Sequence, residues 1–212
     1  MKRLFFSVMF IFLAYISFAK GQKEYFELGV AFPYFNERSS ISGINVTSEI
    51  SSFAINFAGV SFQTDTMGIG AYGNLIMPQK LTMSSMGQSI SINSSAYDFL
   101  LGLDMLIGPV FLAYQKDYFS LPIAAGVHYM QLWSTIDGLY LDGISLGLGI
   151  NATGQYRLNS SIYLLARLQL TLDLFSWVTA EQYYGLYSIK QTESSSVISW
   201  GISPTIGLGV QF

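Results

Sequence analysis

The sequence predicts an all-β fold, an eight-stranded antiparallel up-and-down barrel that spans a membrane. Large apolar residues recur at every second position in segment after segment, which is the periodicity of a strand with two different faces. The 212 residues are 51% hydrophobic and only 11% charged, with a mean hydropathy of +0.41. Part of the surface must therefore meet an apolar solvent. Beyond the first residues, no uninterrupted apolar run has the length of a spanning helix.

The first residues have the pattern of a secretory signal peptide. A positively charged start is followed by an apolar run over residues 4–16 and by a small-x-small pattern that ends at Ala19. The run is shorter than the roughly 20 residues that a spanning helix needs. We therefore expect residues 1–19 to be removed on export and residues 20–212 to form one barrel domain.

Composition excludes several functional classes. The chain has no cysteine and a single histidine, so thiolate, iron-sulfur and transition-metal sites lack their ligands, and we expect no metal and no cofactor. The formal net charge is −3 at pH 7. A chain without a basic surface is not expected to bind nucleic acid.

Three glycines, Gly68, Gly70 and Gly73, form the spacing GxGxxG, which is typical of a dinucleotide-binding loop. That loop needs a helix opening at its third glycine and an acidic residue about 20 positions further on. Pro78 follows too soon for a helix, and the next acidic residue after Asp65 is Asp98. Residues 66–77 instead alternate between apolar and small residues, which predicts a strand.

The first two strands lie at residues 26–34 and 53–62. The first places its large side chains on one face and Glu27 with small residues on the other. The second has an apolar parity that switches midway. One extra residue restores the facing of such a strand, so we expect a β-bulge at Ala58-Gly59.

The fourth and fifth strands bring titratable residues to the small-residue face. Residues 97–107 alternate large apolar side chains with a face that includes Asp98 and Asp104. Residues 118–132 carry the histidine, His128, on the face that is rich in Ser, Ala and Gly. In both segments the period of two predicts a strand.

The sixth and seventh strands show the clearest alternation. Residues 144–153 alternate Ile and Leu with Ser, Gly, Asn and Thr. Residues 162–174 place a row of leucines opposite a polar row that includes Arg167, Gln169 and Asp173.

The eighth strand, residues 198–212, alternates Ile, Trp and Leu with Ser and Gly and stops on Phe212. Pro204 lies inside it. A proline removes one ladder hydrogen bond and is unusual inside a closed sheet, so we expect a local bulge at Pro204.

The connections between the strands alternate in length. Short turns fall at residues 63–65 and 157–160, and long segments rich in Ser, Thr and Asn fall at residues 35–49, 78–94, 134–142 and 176–197. Such alternation is typical of a membrane barrel whose long loops are extracellular. Residues 108–117 fit less well, so this turn is partly interfacial or the flanking strands extend into it.

The choice of outer face follows from the two rows of side chains. A soluble barrel would need a charged exterior, and the second face is mostly Gly, Ser, Ala, Asn and Thr. Large residues are therefore expected to meet lipid while small and polar ones fill the lumen. Gly68 and Gly70 are then small because they point into a crowded interior, whereas Gly73 lies on the lipid-facing parity.

With these features the chain resembles small bacterial outer-membrane barrels of the OmpX, OmpW and OmpA-barrel type. Their last strand ends in an aromatic residue after alternating hydrophobics and is read by the barrel-assembly machinery. The residues that match this assembly signal are Thr205, Gly207, Val210 and Phe212. The resemblance implies a monomer in the outer membrane, with membrane lipid and the assembly machinery as partners.

Parity also predicts a polar cluster in the lumen. Its members are Glu27, Asp98, Asp104, His128, Arg167, Gln169 and Asp173. A polar track for small solutes and a plug of paired charges both remain open. We favour the plug, since an eight-stranded interior is just filled by side chains, and expect Arg167 to pair with Asp98, Asp104 or Asp173.

A catalytic role is not expected. Lipid-modifying enzymes among the resembling barrels use a histidine with a serine and an acid, and no serine lies two positions after His128. The segments 35–49, 78–94 and 176–197 leave an extracellular ligand open, and tyrosines at 183, 184 and 187 suit either recognition or an interfacial girdle. The sequence thus favours a structural or surface-interaction role, with a narrow porin-like channel as the alternative.

Overall fold

The computed structural model describes residues 23–41, 44–184, 187–195 and 198–212. The predicted signal peptide lies outside these residues. Their helical content is one short 3-10 turn, Ser94–Ala96, and within the described ranges no helix is suited to crossing a bilayer. The strands are β1 Lys23–Ala31, β2 Tyr34–Ile41, β3 Ile44–Phe62, β4 Met67–Ser85, β5 Gln88–Asn93, β6 Phe99–Lys116, β7 Phe119–Ile136, β8 Leu139–Arg157, β9 Ile162–Tyr184, β10 Tyr187–Ser195 and β11 Ile198–Gln211.

Antiparallel pairing closes these strands into a barrel. β11 pairs with β1 on one side and with β9 on the other, and every other wall strand pairs with its neighbours along the chain. β2 continues the line of β1, because both pair with β3 and β11. β5 and β10 extend hairpins at one end. The described wall therefore has eight strand positions, which confirms the predicted fold class.

The wall is much taller at one end than the sequence indicated. Residues predicted as long polar loops are mostly paired strand, so that β7 and β8 meet at a two-residue turn. Both residues of that turn, Asp137 and Gly138, have positive φ angles of 47° and 74°, as a tight hairpin turn with the right twist requires. Residues 42–43, 185–186 and 196–197 of the predicted loops lie outside the described residues. We call the taller end of the barrel, which includes the Asp137-Gly138 turn, the hairpin end. The opposite end, with turns at residues 63–66, 117–118 and 158–161, is the short-turn end.

The segment 108–117 is also strand. β6 continues to Lys116 and turns at residues 117–118, with one register shift against β7 between Leu112 and Tyr114. Of the two readings that the sequence left open, extension of the strands is the one observed.

The bulge predicted at Ala58-Gly59 was wrong. β3 pairs continuously with β1 and β4 there, and its register shift lies between Ser51 and Ser52. Val60 therefore stays on the inner face and is 5% exposed. The apolar residues that follow the parity switch, Val60 and Phe62, belong to an apolar cluster inside the barrel.

The bulge predicted at Pro204 is also absent. β11 pairs with β9 through Pro204 without a shift, and the neighbouring strand is interrupted instead, at Phe32-Pro33 between β1 and β2. The Phe32 N–H donates to the Pro204 carbonyl at 3.0 Å. The two prolines thus lie at one break in the ladder, where the missing N–H groups remove few hydrogen bonds.

The outer surface is apolar around the barrel. The outward leucines of β9, Leu164, Leu168, Leu170, Leu172 and Leu174, are 40 to 47% exposed, close to outward residues of β1 and β11 such as Leu28 and Leu208 at 52%. Aromatic pairs lie at two levels, with Tyr114–Phe119 and Tyr118–Tyr156 near the short turns and Tyr34–Trp200 higher on the wall. This is the apolar band with two aromatic girdles of a membrane barrel.

The lumen is filled by alternating layers. Near the short-turn end, Tyr72, Leu106 and Val110 belong to a buried apolar cluster, and towards the hairpin end Phe35 and Ile76 belong to a second. Polar side chains occupy the space between the two clusters. The sequence predicted a lumen filled by small and polar residues, and the two apolar clusters make the interior less polar than that.

Candidate functional site: a polar network in the lumen

Arg167 of β9 lies in the middle of the lumen and is 3% exposed. Its guanidinium forms an ion pair with Glu27. Nη1 donates to Asn56 Oδ1 at 2.8 Å and Nε donates to Thr153 Oγ1 at 3.0 Å. The ring of Tyr72 lies beneath Cζ, 4.6 Å from it. These contacts supply the pairing that a buried charge needs.

Glu27 links the arginine to the short-turn end. Its Oε1 accepts hydrogen bonds from the Tyr163 hydroxyl at 3.0 Å and from Gln155 Nε2 at 2.9 Å. Gln155 Oε1 in turn accepts from the Ser120 hydroxyl at 2.8 Å. The carboxylate therefore joins β1, β7, β8 and β9 on the inside of the barrel.

His128 lies between two carboxylates and has no exposed surface. Its Nε2 is 2.7 Å from Asp104 Oδ1, and its Nδ1 is 2.5 Å from Asp173 Oδ1. With both carboxylates ionised they can only accept hydrogen bonds, so each ring nitrogen donates and the ring is an imidazolium between two acids.

Amide side chains connect the histidine group to the arginine group. Asn56 Nδ2 donates to Asn74 Oδ1 at 2.8 Å, and Asn74 Nδ2 donates to Asp104 Oδ2 at 2.8 Å. Gln169 Nε2 reaches both oxygens of Asp104, at 3.1 and 3.2 Å. We call this connected set the lumen network. Its members are Glu27, Asn56, Asn74, Asp104, His128, Thr153, Gln155, Tyr163, Arg167, Gln169 and Asp173.

Six of the seven residues that the sequence assigned to the lumen cluster belong to this network. Asp98 does not, because its side chain is exposed in the connection before β6, where its N–H donates to the Thr135 carbonyl at 2.9 Å. The expected partner of Arg167 was also wrong, since Glu27 takes the place proposed for Asp98, Asp104 or Asp173. Asp104 and Asp173 pair with the histidine instead.

Sequence reasoning missed the uncharged half of the network. Asn56, Asn74 and Gln155 lie on the inward parity of their strands, so the alternation alone would have found them. The predicted cluster contained one amide, Gln169, and left out Asn56 and Asn74, the amides that bridge the two charged groups.

The glycines of the GxGxxG spacing have packing explanations. A Cβ on Gly70 would lie 2.7 Å from Val110 Cγ2 and 2.8 Å from the Tyr72 ring, which agrees with a crowded interior. A Cβ on Gly68 would lie 2.5 Å from the Ser61 carbonyl. Gly73 faces outward, where the Phe57 ring covers it from the adjacent strand.

The four residues of the expected assembly signal line the last strand. Thr205 is 3% exposed on the inner face, Gly207 shares its parity, and Val210 lies on the outer face. Phe212 is 76% exposed, and its N–H donates to the Glu24 carbonyl at 2.9 Å. Their placement agrees with a last strand that closes the barrel by pairing with β1.

A second polar group lies on the outer wall towards the hairpin end. The Tyr129 hydroxyl donates to Gln131 Oε1, and Gln131 Nε2 donates to Asp142 Oδ1 at 2.8 Å. Gln131 is only 2% exposed. These groups satisfy one another, as polar groups near lipid must.

The lumen network is poorly arranged for acid–base catalysis or for metal binding. Both nitrogens of His128 face carboxylates, which leaves none to accept a proton from a hydroxyl. In the described residues, no group of three or more His, Cys, Asp or Glu side chains is placed to hold a metal ion.

Comparison with solved structures shows the same architecture in outer-membrane proteins. OprG from Pseudomonas aeruginosa is 13% identical, with a TM-score of 0.65 over 91% of this chain and 97% of OprG. AlkL, determined by solid-state NMR in DMPC bilayers, is 8% identical, with a TM-score of 0.54 over 91% of each chain. Neisserial surface protein A is 12% identical, with a TM-score of 0.50 over 89% of this chain and 97% of that protein.

No protein-family model matches the sequence, and no curated protein matches it significantly. The similarity therefore lies in the fold. The apolar outer wall, the closed ladder and these three structures agree that the chain has the fold of the small outer-membrane β-barrels.

Proposed function

We propose that the protein is an integral barrel of the bacterial outer membrane, with a closed lumen and a structural or surface-interaction role. The observation that carries the proposal is the lumen network. Arg167, His128 and their acidic partners are at most 3% exposed, and their hydrogen bonds join seven strands of the wall across the interior.

The network supports a plug because passage would break its strongest contacts. Solute entering from either end meets a buried apolar cluster before it reaches the charged groups. Moving Arg167 aside would leave Glu27, which is 1% exposed, buried without its partner, which is costly. The alternative, a narrow channel for small solutes, requires such a movement.

The proposed location and partners follow from the outer wall. Its apolar band requires lipid, and a closed ladder has no free strand edge through which copies would pair. A monomer that is inserted by the barrel-assembly machinery and presents its hairpin end to the outside fits this surface. A non-enzymatic role is part of the proposal, since the histidine is fully engaged by acids.

Planar-bilayer conductance of the refolded protein tests the closed lumen. We expect no discrete openings from the parent protein. A Glu27→Ser/Arg167→Ser variant, which removes the central ion pair, provides a comparison for a widened lumen. Regular channel openings by the parent protein would overturn the plug and favour the solute channel.

Cell fractionation tests the location independently. The mature protein is expected in the outer-membrane fraction, resistant to extraction by salt. Recovery in the soluble periplasm would overturn the membrane assignment, whatever the conductance experiment shows.

A further inference from the structure

A cavity of about 180 Å³ lies inside the barrel towards the hairpin end. Inward side chains of several strands line it, and the residues used below are Glu37, Ile50, Tyr97, Leu100, Met130 and Leu132. We call this cavity the vestibule. Met130 lies beside the lumen network, since it pairs with Asp104 and Ser145 in the adjacent strands, so the network closes the vestibule from below.

The walls of the vestibule are mainly apolar, whereas its charge is negative. Glu37 is the ionisable carboxylate in its described lining. None of the ion pairs among the described residues includes Glu37. The carboxylate therefore faces an apolar space without a cation of the described chain beside it.

More negative charge lies behind Glu37. Ser199 of β11 pairs with Glu37 on one side and with Asp173 on the other. Asp173 Oδ2 and Ser199 Oγ are buried and make no hydrogen bond within the described residues. The lumen network beneath holds three carboxylates, Glu27, Asp104 and Asp173, against two cations, Arg167 and His128. This end of the lumen thus attracts positive charge.

From this cavity we infer that the vestibule is a binding site for a small organic cation, an amine carried on an apolar or aromatic body. Glu37 would accept the ammonium hydrogen bonds, and Ile50, Leu100 and Leu132 would surround the apolar part. Tyr97 adds an aromatic wall, which suits a cation. An anion would be repelled by Glu37 in the lining and by Asp173 behind it, and a neutral molecule would leave the Glu37 carboxylate unpaired.

The size of the ligand is limited by the volume. Pockets for drug-sized ligands measure about 300 to 1,000 Å³, so the vestibule suits a molecule of one ring with a short amine arm. The inference rests on the proposed function only for the direction in which the hairpin end faces, because ligand must enter from that side.

Three matched probes separate charge from shape: 2-phenylethylamine, 2-phenylethanol and phenylacetate. The parent protein, with 13C-methyl methionine and in nanodiscs of zwitterionic lipid, is titrated with each while the Met130 methyl signal is followed by NMR. Met67 at the short-turn end and the exposed Met86 on the hairpin turn report non-specific effects. We expect a saturable shift of Met130 with the amine, about tenfold tighter than with the alcohol, the margin of one charge-assisted contact.

Two variants test the role of Glu37. Glu37→Gln should bind the amine and the alcohol equally, whereas Glu49→Gln, which changes an exposed outward carboxylate of the next strand, should keep the preference for the amine. Leu132→Trp should fill the cavity and remove all three responses. Equal binding of amine and alcohol by the parent protein, an unchanged preference in Glu37→Gln, or no response from Met130 would each overturn the inference.

These outcomes are independent of the conductance result. A channel that conducts but keeps the amine preference retains the site and loses the plug. A silent barrel without the preference retains the plug and loses the site.

Discussion

Arg167 and Glu27 form an ion pair inside the barrel although β11 lies between their strands. On the inner face of β11, Thr205 pairs with Arg167 and Gly209 pairs with Glu27, with Gly207 between them. The arginine and the glutamate therefore meet across two residues of β11 that have no side chain. The ion pair between β1 and β9 therefore depends on having β11, with its glycines, as the strand between them.

The ion pair should contribute strongly to stability. Arg167→Ala leaves Glu27 buried without its cation, and breaking a buried pair from one side costs about 3 to 5 kcal/mol. We expect unfolding at clearly lower urea concentration in lipid or detergent, and partial recovery in Glu27→Gln/Arg167→Met. The exposed Arg38→Ala serves as the control and should unfold like the parent. Unchanged unfolding of Arg167→Ala would contradict the pairing.

His128 should be as important for the second half of the network. His128→Gln removes the cation between Asp104 and Asp173, so two buried carboxylates are left with reduced compensation. We expect a loss of about 3 to 5 kcal/mol in the free energy of unfolding at neutral pH. Adding Asp173→Asn to this variant should restore part of it. If the two substitutions are additive in a double-mutant cycle, the acid–histidine coupling inferred from the distances is wrong.

Gly70 and Gly154 should respond differently to alanine. A Cβ on Gly70 would lie 2.7 Å from Val110 Cγ2, whereas a Cβ on Gly154 would have its nearest neighbour at 3.6 Å. Overpacking of this kind costs about 1 to 3 kcal/mol, so Gly70→Ala should unfold at lower urea concentration and Gly154→Ala should not. Val110→Ala should relieve part of the Gly70→Ala loss. Equal stability of the two alanine variants would argue against a crowded lumen.

Phe212→Ala should affect assembly more than stability. The side chain is exposed, so it adds little packing to the finished barrel, whereas the resemblance assigns it to recognition by the assembly machinery. We expect less heat-modifiable barrel in the outer membrane of cells and normal urea unfolding of protein refolded in vitro. Normal assembly in cells would remove Phe212 from the signal.

The alternation of large and small residues was sufficient to predict all eight wall strands and, except for the end of β3 at Val60 and Phe62, their outer faces. Outward leucines such as Leu164 and Leu170 are where the period of two placed them, because lipid selects one face of every strand. The tall hairpins were not predicted. In the upper parts of β4 and β9, polar residues such as Lys80, Thr82, Glu181 and Gln182 interrupt the apolar runs, so the sequence there predicted loops.

The site was predicted in outline and not in its pairing. Parity identifies which residues point inward, so Glu27, His128 and Arg167 were found together. Pairing depends on the stagger between neighbouring strands, which a sequence does not display, and this is why Arg167 meets Glu27 rather than an aspartate. Val60 was misplaced for a related reason, since an apolar residue inside a barrel looks like one on the lipid side.

The length of β9 has a mechanical consequence. Its 23 residues make a strand about 75 Å long at about 3.3 Å per residue, and a tilt of about 40° leaves about 58 Å along the barrel axis. The lipid band is only about 25 Å tall, so more than half of the length of β9 extends beyond the bilayer as paired strand. With the hairpin end facing the medium, as proposed above, an antibody or phage would meet paired backbone at a fixed height and bind a conformational epitope rather than a flexible peptide.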